Sequence, residues 1–256
     1  MLFGKAKKGF TLVELLVVIS IIALLLAIIV PALGSVRKQA KSVICSSNLS
    51  QLGLGFDMYL SDNNRRVFPL AGIETDENGQ VGMRWYFGFE PGSSFSLPEG
   101  QRLLRREKAR LYPYLEQYDS IEICPSFPYA HGRYKPKYQT KWMTYGANCK
   151  LFADLREPGR DVVNFDNYPG SSRAMIFSDS AQVNTHQSPA SPANPMFEEW
   201  HVIEQLGSAF VHFRHKEKAN ILFGDGHVGR AAAEPGSYDH RLSSLKIGRF
   251  GPEVAF

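Results

Sequence analysis

From Leu15 to Leu33 the chain carries no charged residue and a single hydroxyl, Ser20. Crossing the hydrocarbon core of a bilayer takes about 20 predominantly apolar residues, and Leu12 to Leu33 has that length if the one acid within it, Glu14, is accommodated. A helix that is apolar on every side has no polar face to turn toward water. The segment therefore predicts a membrane anchor followed by one soluble domain, for which the rest of the 256 residues is long enough.

The flanks do not orient this anchor by themselves. Lys5, Lys7 and Lys8 precede it and Arg37, Lys38 and Lys41 follow it, so both ends are positive. A cleaved secretory signal is one reading, with Ala32-Leu33-Gly34 as the small-residue cleavage site. Against it, the apolar region is longer than the usual run of about 7–15 residues. Glu14 is the more informative residue, because a carboxylate at membrane depth is costly and normally has a partner. A cut between Gly9 and Phe10 would create an α-amine four residues before it, and a neighbouring subunit's amine is a second candidate. The plainer reading places Glu14 in the headgroup region.

Charge limits the partners. The net charge of +4 falls to +1 without the first nine residues, which hold three lysines, so nucleic acid is not an expected partner. The densest basic stretch, Arg102, Arg105, Arg106, Lys108 and Arg110, reads as a solvated helix face rather than a polyanion site. Three cysteines form no metal-binding run. In an oxidising compartment Cys124 and Cys149 are free to pair while Cys45 stands apart, or serves as a small buried hydrophobe at a helix interface.

Beyond the anchor, Val36, Ala40, Val43, Ile44, Leu52, Phe56 and Tyr59 recur largely at three- and four-residue spacings, which predicts an amphipathic helix over 35–63. Gly53 and Gly55 weaken it, and Asp62-Asn63-Asn64 is the expected stop. Residues 65–97 read as short strands and loops, Gln101 to Tyr118 as a local helix, and Met143–Tyr145 and Ala174–Ser178 as strands. Gln187 to Pro195 reads as an exposed loop. Near the end, Ala219 to Gly224 and His227-Val228 flank Asp225-Gly226, a hairpin signature in which glycine supplies the backbone freedom of the turn. The expected fold is α+β: a long N-terminal helix, membrane-spanning in its first half, packed in its second on an antiparallel β-sheet head.

Lys7-Lys8-Gly9-Phe10-Thr11-Leu12-Val13-Glu14-Leu15-Leu16-Val17-Val18-Ile19 resembles the processing site of type IV pilins and type II secretion pseudopilins. The resemblance implies a leader of residues 1–9 cut after Gly9, methylation of the new N-terminus at Phe10, and a role for Glu14 in assembly. Pro31 resembles the proline that interrupts the family's membrane helix, and its missing N–H predicts a kink or local melting at Ala27 to Pro31. Cys45-Ser46-Ser47-Asn48-Leu49, Leu111-Tyr112-Pro113, Cys124-Pro125-Ser126 and His215 followed after nine residues by Asp225-Gly226 resemble a pseudopilin-like group with a processing-associated H-X9-DG domain.

The resemblance implies a non-enzymatic subunit of a pseudopilus or related pilus, in the inner membrane with its N-terminus cytoplasmic and its head, residues 64–256, periplasmic or extracellular. Implied partners are a prepilin peptidase/methyltransferase, other pilin or pseudopilin subunits, the membrane and a secreted protein substrate. The competing reading is a monomeric, membrane-anchored protein whose head binds an extracytoplasmic ligand. No cofactor is expected, with one exception to be tested: His212, His215, Asp225 and His227 have the chemistry of divalent-metal ligands if the hairpin returns the last two toward the first two. Surface or structural histidines are the alternative. Asp179 is expected to cap a turn, with a cation site as the second reading.

Overall fold

The computed structural model describes residues 9–154, 161–204 and 209–256. The chain divides into two compact units, Met1–Ala40 and Lys41–Phe256. Helix α1 (Leu12–Asp62) supplies the whole described secondary structure of the first and opens the second.

In the first unit α1 is long and apolar enough to cross a membrane, and its most apolar window buries nothing against protein. Leu15, Leu16, Val17 and Val18, successive residues that point to all sides of the helix, are each about half exposed. The helix is continuous through Pro31, so the melting expected at Ala27 to Pro31 does not occur. A proline removes a single donor, and the ladder on either side holds the turn.

In the second unit the helix has one committed face. Cys45, Leu49, Leu52, Phe56 and Leu60, spaced by three and four residues, are all buried. Close approach explains the two glycines: a Cβ on Gly53 would stand 2.9 Å from Leu222 Cδ1, and one on Gly55 2.9 Å from Leu115 Cγ. The helix ends where expected. The Asn63 N–H returns to Tyr59 O and the Arg65 N–H to Leu60 O, while Asn64 and Arg65 take positive φ, a left-handed helix end.

The head strands run β1 (Ala71–Thr75), β2 (Val81–Trp85), β3 (Gly88–Pro91), β4 (Tyr145–Asn148), β5 (Met175–Asp179), β6 (Gln182–Asn184), β7 (Met196–Glu198), β8 (Val202–Ile203), β9 (Val211–His212), β10 (Lys218–Phe223), β11 (Val228–Ala232) and β12 (Ile247–Gly248). The largest sheet has the order β11-β10-β5-β4-β8, antiparallel except for β4 and β8. Its interior strand β10 is buried on both faces. Leu222 joins the cluster of Leu52, Phe56 and Phe177 against α1, whereas Ala219 and Ile221 join Val211, Phe213 and Phe250 on the other side. The fold is the expected α+β arrangement, with α1 covering a mainly antiparallel sheet.

The helix expected over Gln101 to Tyr118 is absent. Arg105 instead exchanges both backbone hydrogen bonds with Phe89 of β3, and the only α-helical turn nearby is α2 (Tyr118–Ile121). Nor are the basic side chains a solvated face. Arg102 pairs with Glu90, Arg105 with Asp76, Arg106 with Glu122, Lys108 with Glu77 and Arg110 with Glu74. A row of cations answered one by one by acids leaves little field for a polyanion.

Candidate functional site

The N-terminal site is built on the first turn of α1. Thr11 precedes the helix, and its side-chain oxygen accepts the Glu14 N–H at 3.3 Å. Glu14 Oε2 accepts the Thr11 N–H at 2.8 Å and the Thr11 hydroxyl at 2.7 Å. This is a reciprocal capping box, in which residues at the cap and three positions later satisfy each other's orphan donors. Glu14 is thus the helix-starting acid of the described chain, and Thr11 is a partner that the sequence reading did not name. Gly9 and Phe10 lie exposed just before it, with nothing near the position a Gly9 Cβ would take. Lys5, Lys7 and Lys8 lie outside the described residues.

The second site lies inside the head. Cys45 of α1 is disulfide-bonded to Cys124, with Cα atoms 5.3 Å apart, which corrects the expected Cys124–Cys149 pairing. Cys149 is not part of that bond. The cause is helical phase: Cys45 shares the face of Leu49, Leu52 and Phe56, so packing that face on the head delivers its sulfur to Cys124. That phase was readable, because the spacings 45, 49, 52 and 56 stand in the sequence.

His215 completes the group. Its Nε2 lies 3.5 Å from Cys124 Sγ and 3.4 Å from Asp179 Oδ2. A tight turn fixes the ring: the His215 N–H reaches Lys218 O and the Lys218 N–H reaches His215 O, with positive φ at both Lys216 and Glu217. Two such residues in succession are what a type I′ turn requires, and neither is glycine. Asp179, at the end of β5, is fully buried and accepts from Arg214 at 2.6 Å and from the Asn220 N–H at 2.7 Å. Burial pushes its pKa up, but Arg214 and His215 outweigh that and hold the carboxyl below the usual range. Arg214 also donates to Thr144 O and Ser180 O and lies over the Phe127 ring. Asp179 is therefore the anchor of a buried ion pair rather than a turn cap.

The four-residue metal set does not assemble. His212 is buried on β9 with Nδ1 3.1 Å from Arg214, and burial together with that guanidinium keeps its imidazole neutral. Asp225 and His227 sit at the β10–β11 turn, at the other end of β10 from His215, partly exposed and bonded to each other. The hairpin itself forms as expected, with Gly226 at φ 86° and the Phe223 N–H closing on His227 O. A six-residue strand separates the two halves of the H-X9-DG pattern. The histidine serves the buried cluster, and the Asp-Gly pair serves the turn.

Comparison with known proteins bears on the N-terminal site. Residues 4–30 match the prokaryotic N-terminal methylation motif. The chain is 46% identical over 57 residues to the type IV wide pilus major component PilA4 of Thermus thermophilus, covering 22% of this chain and 44% of that protein. It is also similar to type II secretion system core protein G of Pseudomonas aeruginosa, 36% over 70 residues, and of Pectobacterium carotovorum, 39% over 71 residues. Those matches cover 27% and 28% of this chain and 49% and 46% of the two relatives, so the chain spans less than half the length of the curated relatives it matches. No solved structure matches it. The N-terminal methylation motif, the membrane-length helix and these relatives make the N-terminal part of the chain similar to that of type IV pilins and type II secretion pseudopilins.

Proposed function

We propose that the protein is a structural subunit of a type II secretion pseudopilus or related type IV pilus, and not an enzyme. The observation that carries this reading is the N-terminal methylation motif over residues 4–30, which takes in the start of a helix whose most apolar stretch buries nothing against its own chain. Such a helix needs either lipid or the helices of other subunits around it. In this reading a prepilin peptidase removes residues 1–9, Phe10 becomes the methylated N-terminus, and the helix stays in the inner membrane until assembly. The head, which begins after α1, lies on the periplasmic or extracellular side and meets neighbouring subunits or secreted protein.

Intact mass and N-terminal peptide analysis of the protein isolated from its producing cell test the route. A chain beginning at methylated Phe10 is expected, and Gly9→Trp should leave residues 1–9 attached, because a small residue at the cut admits the backbone to the peptidase. An N-terminus near Ser35 would mean ordinary signal removal. Residues 1–9 retained in an assembled filament would rule the proposal out.

A further inference from the structure

The buried sulfur and imidazole group of the head has a second chemistry that the pilin-like reading neither uses nor requires. Cys45 Sγ, Cys124 Sγ and His215 Nε2 lie within 4.8 Å of one another, and all three residues are buried. Two thiolates and an imidazole are the ligands of a zinc-class cation, and in a tetrahedral site Zn–S of about 2.3 Å and Zn–N of about 2.0–2.1 Å place sulfur and nitrogen about 3.5 Å apart. The Cys124 Sγ to His215 Nε2 separation is 3.5 Å.

A further feature suits the sulfur once reduction has made it a thiolate. The Ser126 N–H approaches Cys124 Sγ at 3.4 Å, a backbone donor two residues on that stabilises negative sulfur. The surroundings also hold the imidazole in place. The I′ turn at Lys216-Glu217 fixes the His215 backbone, and Asp179 Oδ2, already anchored by the Asn220 N–H, faces the same ring nitrogen from 3.4 Å. A carboxylate at that distance suits either a hydrogen bond from Nε2–H or, once a cation replaces that proton, the neighbouring position around the metal.

We propose that, when the Cys45–Cys124 bond is reduced, the head holds one thiophilic d10 cation, Zn2+ in the first instance, between Cys45 Sγ, Cys124 Sγ and His215 Nε2. The same position is thus a disulfide under oxidising conditions and a metal centre under reducing ones. A dithiol supplies the two electrons and two protons that open the disulfide and is itself oxidised to a disulfide. Zinc binding then releases the two thiol protons to solvent, and the cation's charge offsets that of the two thiolates.

The test uses the full chain in detergent with Cys149→Ser, so that the third thiol does not contribute. The protein is reduced with dithiothreitol, freed of it anaerobically and titrated with Co2+ and then Zn2+. Expected are one equivalent of bound metal, tetrahedral Co2+ absorption with thiolate-to-cobalt charge transfer, displacement by Zn2+, and a zinc-dependent rise in the melting temperature of the reduced chain. The oxidised chain should show none of these. His215→Ala should weaken Zn2+ binding by at least about tenfold, and His215→Asn, which keeps a polar side chain there, should do the same if the alanine variant fails to fold. Reduced protein with both thiols titratable that takes up no stoichiometric metal would overturn the site. So would binding indifferent to the His215 variants, or a reduced chain that zinc does not restabilise.

Discussion

Helix α1 is one element made of two materials. Up to Ala40 its large side chains face outward on all sides, and from Cys45 to Leu60 a single stripe is sealed against the head. The glycines make the contrast concrete: a Cβ at Gly34 would meet nothing within 4 Å, whereas one at Gly53 would press on Leu222 at 2.9 Å. Both halves are helical for the same local reasons, but only the second obtains its surroundings from its own chain. The first half reads as a part whose core is supplied by lipid or by other subunits, so equal substitutions in the two halves should have unequal effects on the head.

The largest such difference is expected for leucine truncation. Leu52→Ala removes a fully buried side chain from the cluster that holds Phe56, Phe177 and Leu222, and should destabilise the head by about 2–5 kcal/mol. Leu25→Ala, on a side chain left half exposed by its own chain, should leave the head's melting unchanged. Thermal unfolding followed by near-ultraviolet circular dichroism in detergent makes the comparison. Equal destabilisation by both variants would erase the distinction between the halves.

Carboxylates removed from water extend the contrast. Glu199 is buried in the head and accepts a hydrogen bond from the Tyr134 hydroxyl at about 3.0 Å, yet burial pushes its pKa up to about 7. The folded chain therefore keeps a proton there that the unfolded chain has lost above about pH 4.5. The stability this contributes is complete below about pH 4.5 and disappears as pH rises through about 7, a change of about 3 kcal/mol for a shift of this size. Glu122, pushed up to about 8 by burial against the opposing pull of Arg106, acts in the same direction. The difference between wild type and Glu199→Gln isolates one of the two. Glutamine keeps a polar partner for Tyr134 and cannot ionise, so the variant should gain on the wild type between pH 5 and 8. Parallel pH profiles would show that Glu199 is ionised throughout.

What the sequence disclosed follows the range of the interactions involved. The charge-free run, the Asp62-Asn63-Asn64 stop and the Asp225-Gly226 turn are local signals, and all three appear where expected. Strand β5 emerges within one residue of its expected position, and β4 two to three residues later than expected, because neighbouring strands settle the boundaries. The losses are long-range. No spacing reveals that Arg105 will pair its backbone with Phe89 rather than continue a helix, or that each nearby cation has an acid assigned to it in β1, the β1–β2 turn, β3 or the residue after α2. The buried cluster is an intermediate case. His215 and Asp179 were singled out separately, but the tertiary fold brings them to Cys124, and only helical phase could have delivered Cys45.

The smallest expected effect separates two roles of Glu14. As the third residue of the capping box it should contribute about 1 kcal/mol to the first turn, and Thr11→Val should remove most of that by deleting the hydroxyl on which the reciprocal pair depends. If capping is its whole contribution, Thr11→Val and Glu14→Ala should fray residues 11–15 alike and impair assembly alike. If Glu14 also meets the amine of a processed Phe10, on its own chain or a neighbour's, the alanine variant loses a charge contact that Thr11→Val retains. Amide hydrogen exchange over the first turn in detergent micelles reports the capping part, and the yield of filament from cells reports the other. The expected pattern is similar fraying in the two variants, substantial cleavage after Gly9 in both, and a deeper assembly defect in Glu14→Ala. Equal assembly defects alongside equal fraying would reduce Glu14 to a helix-starting residue.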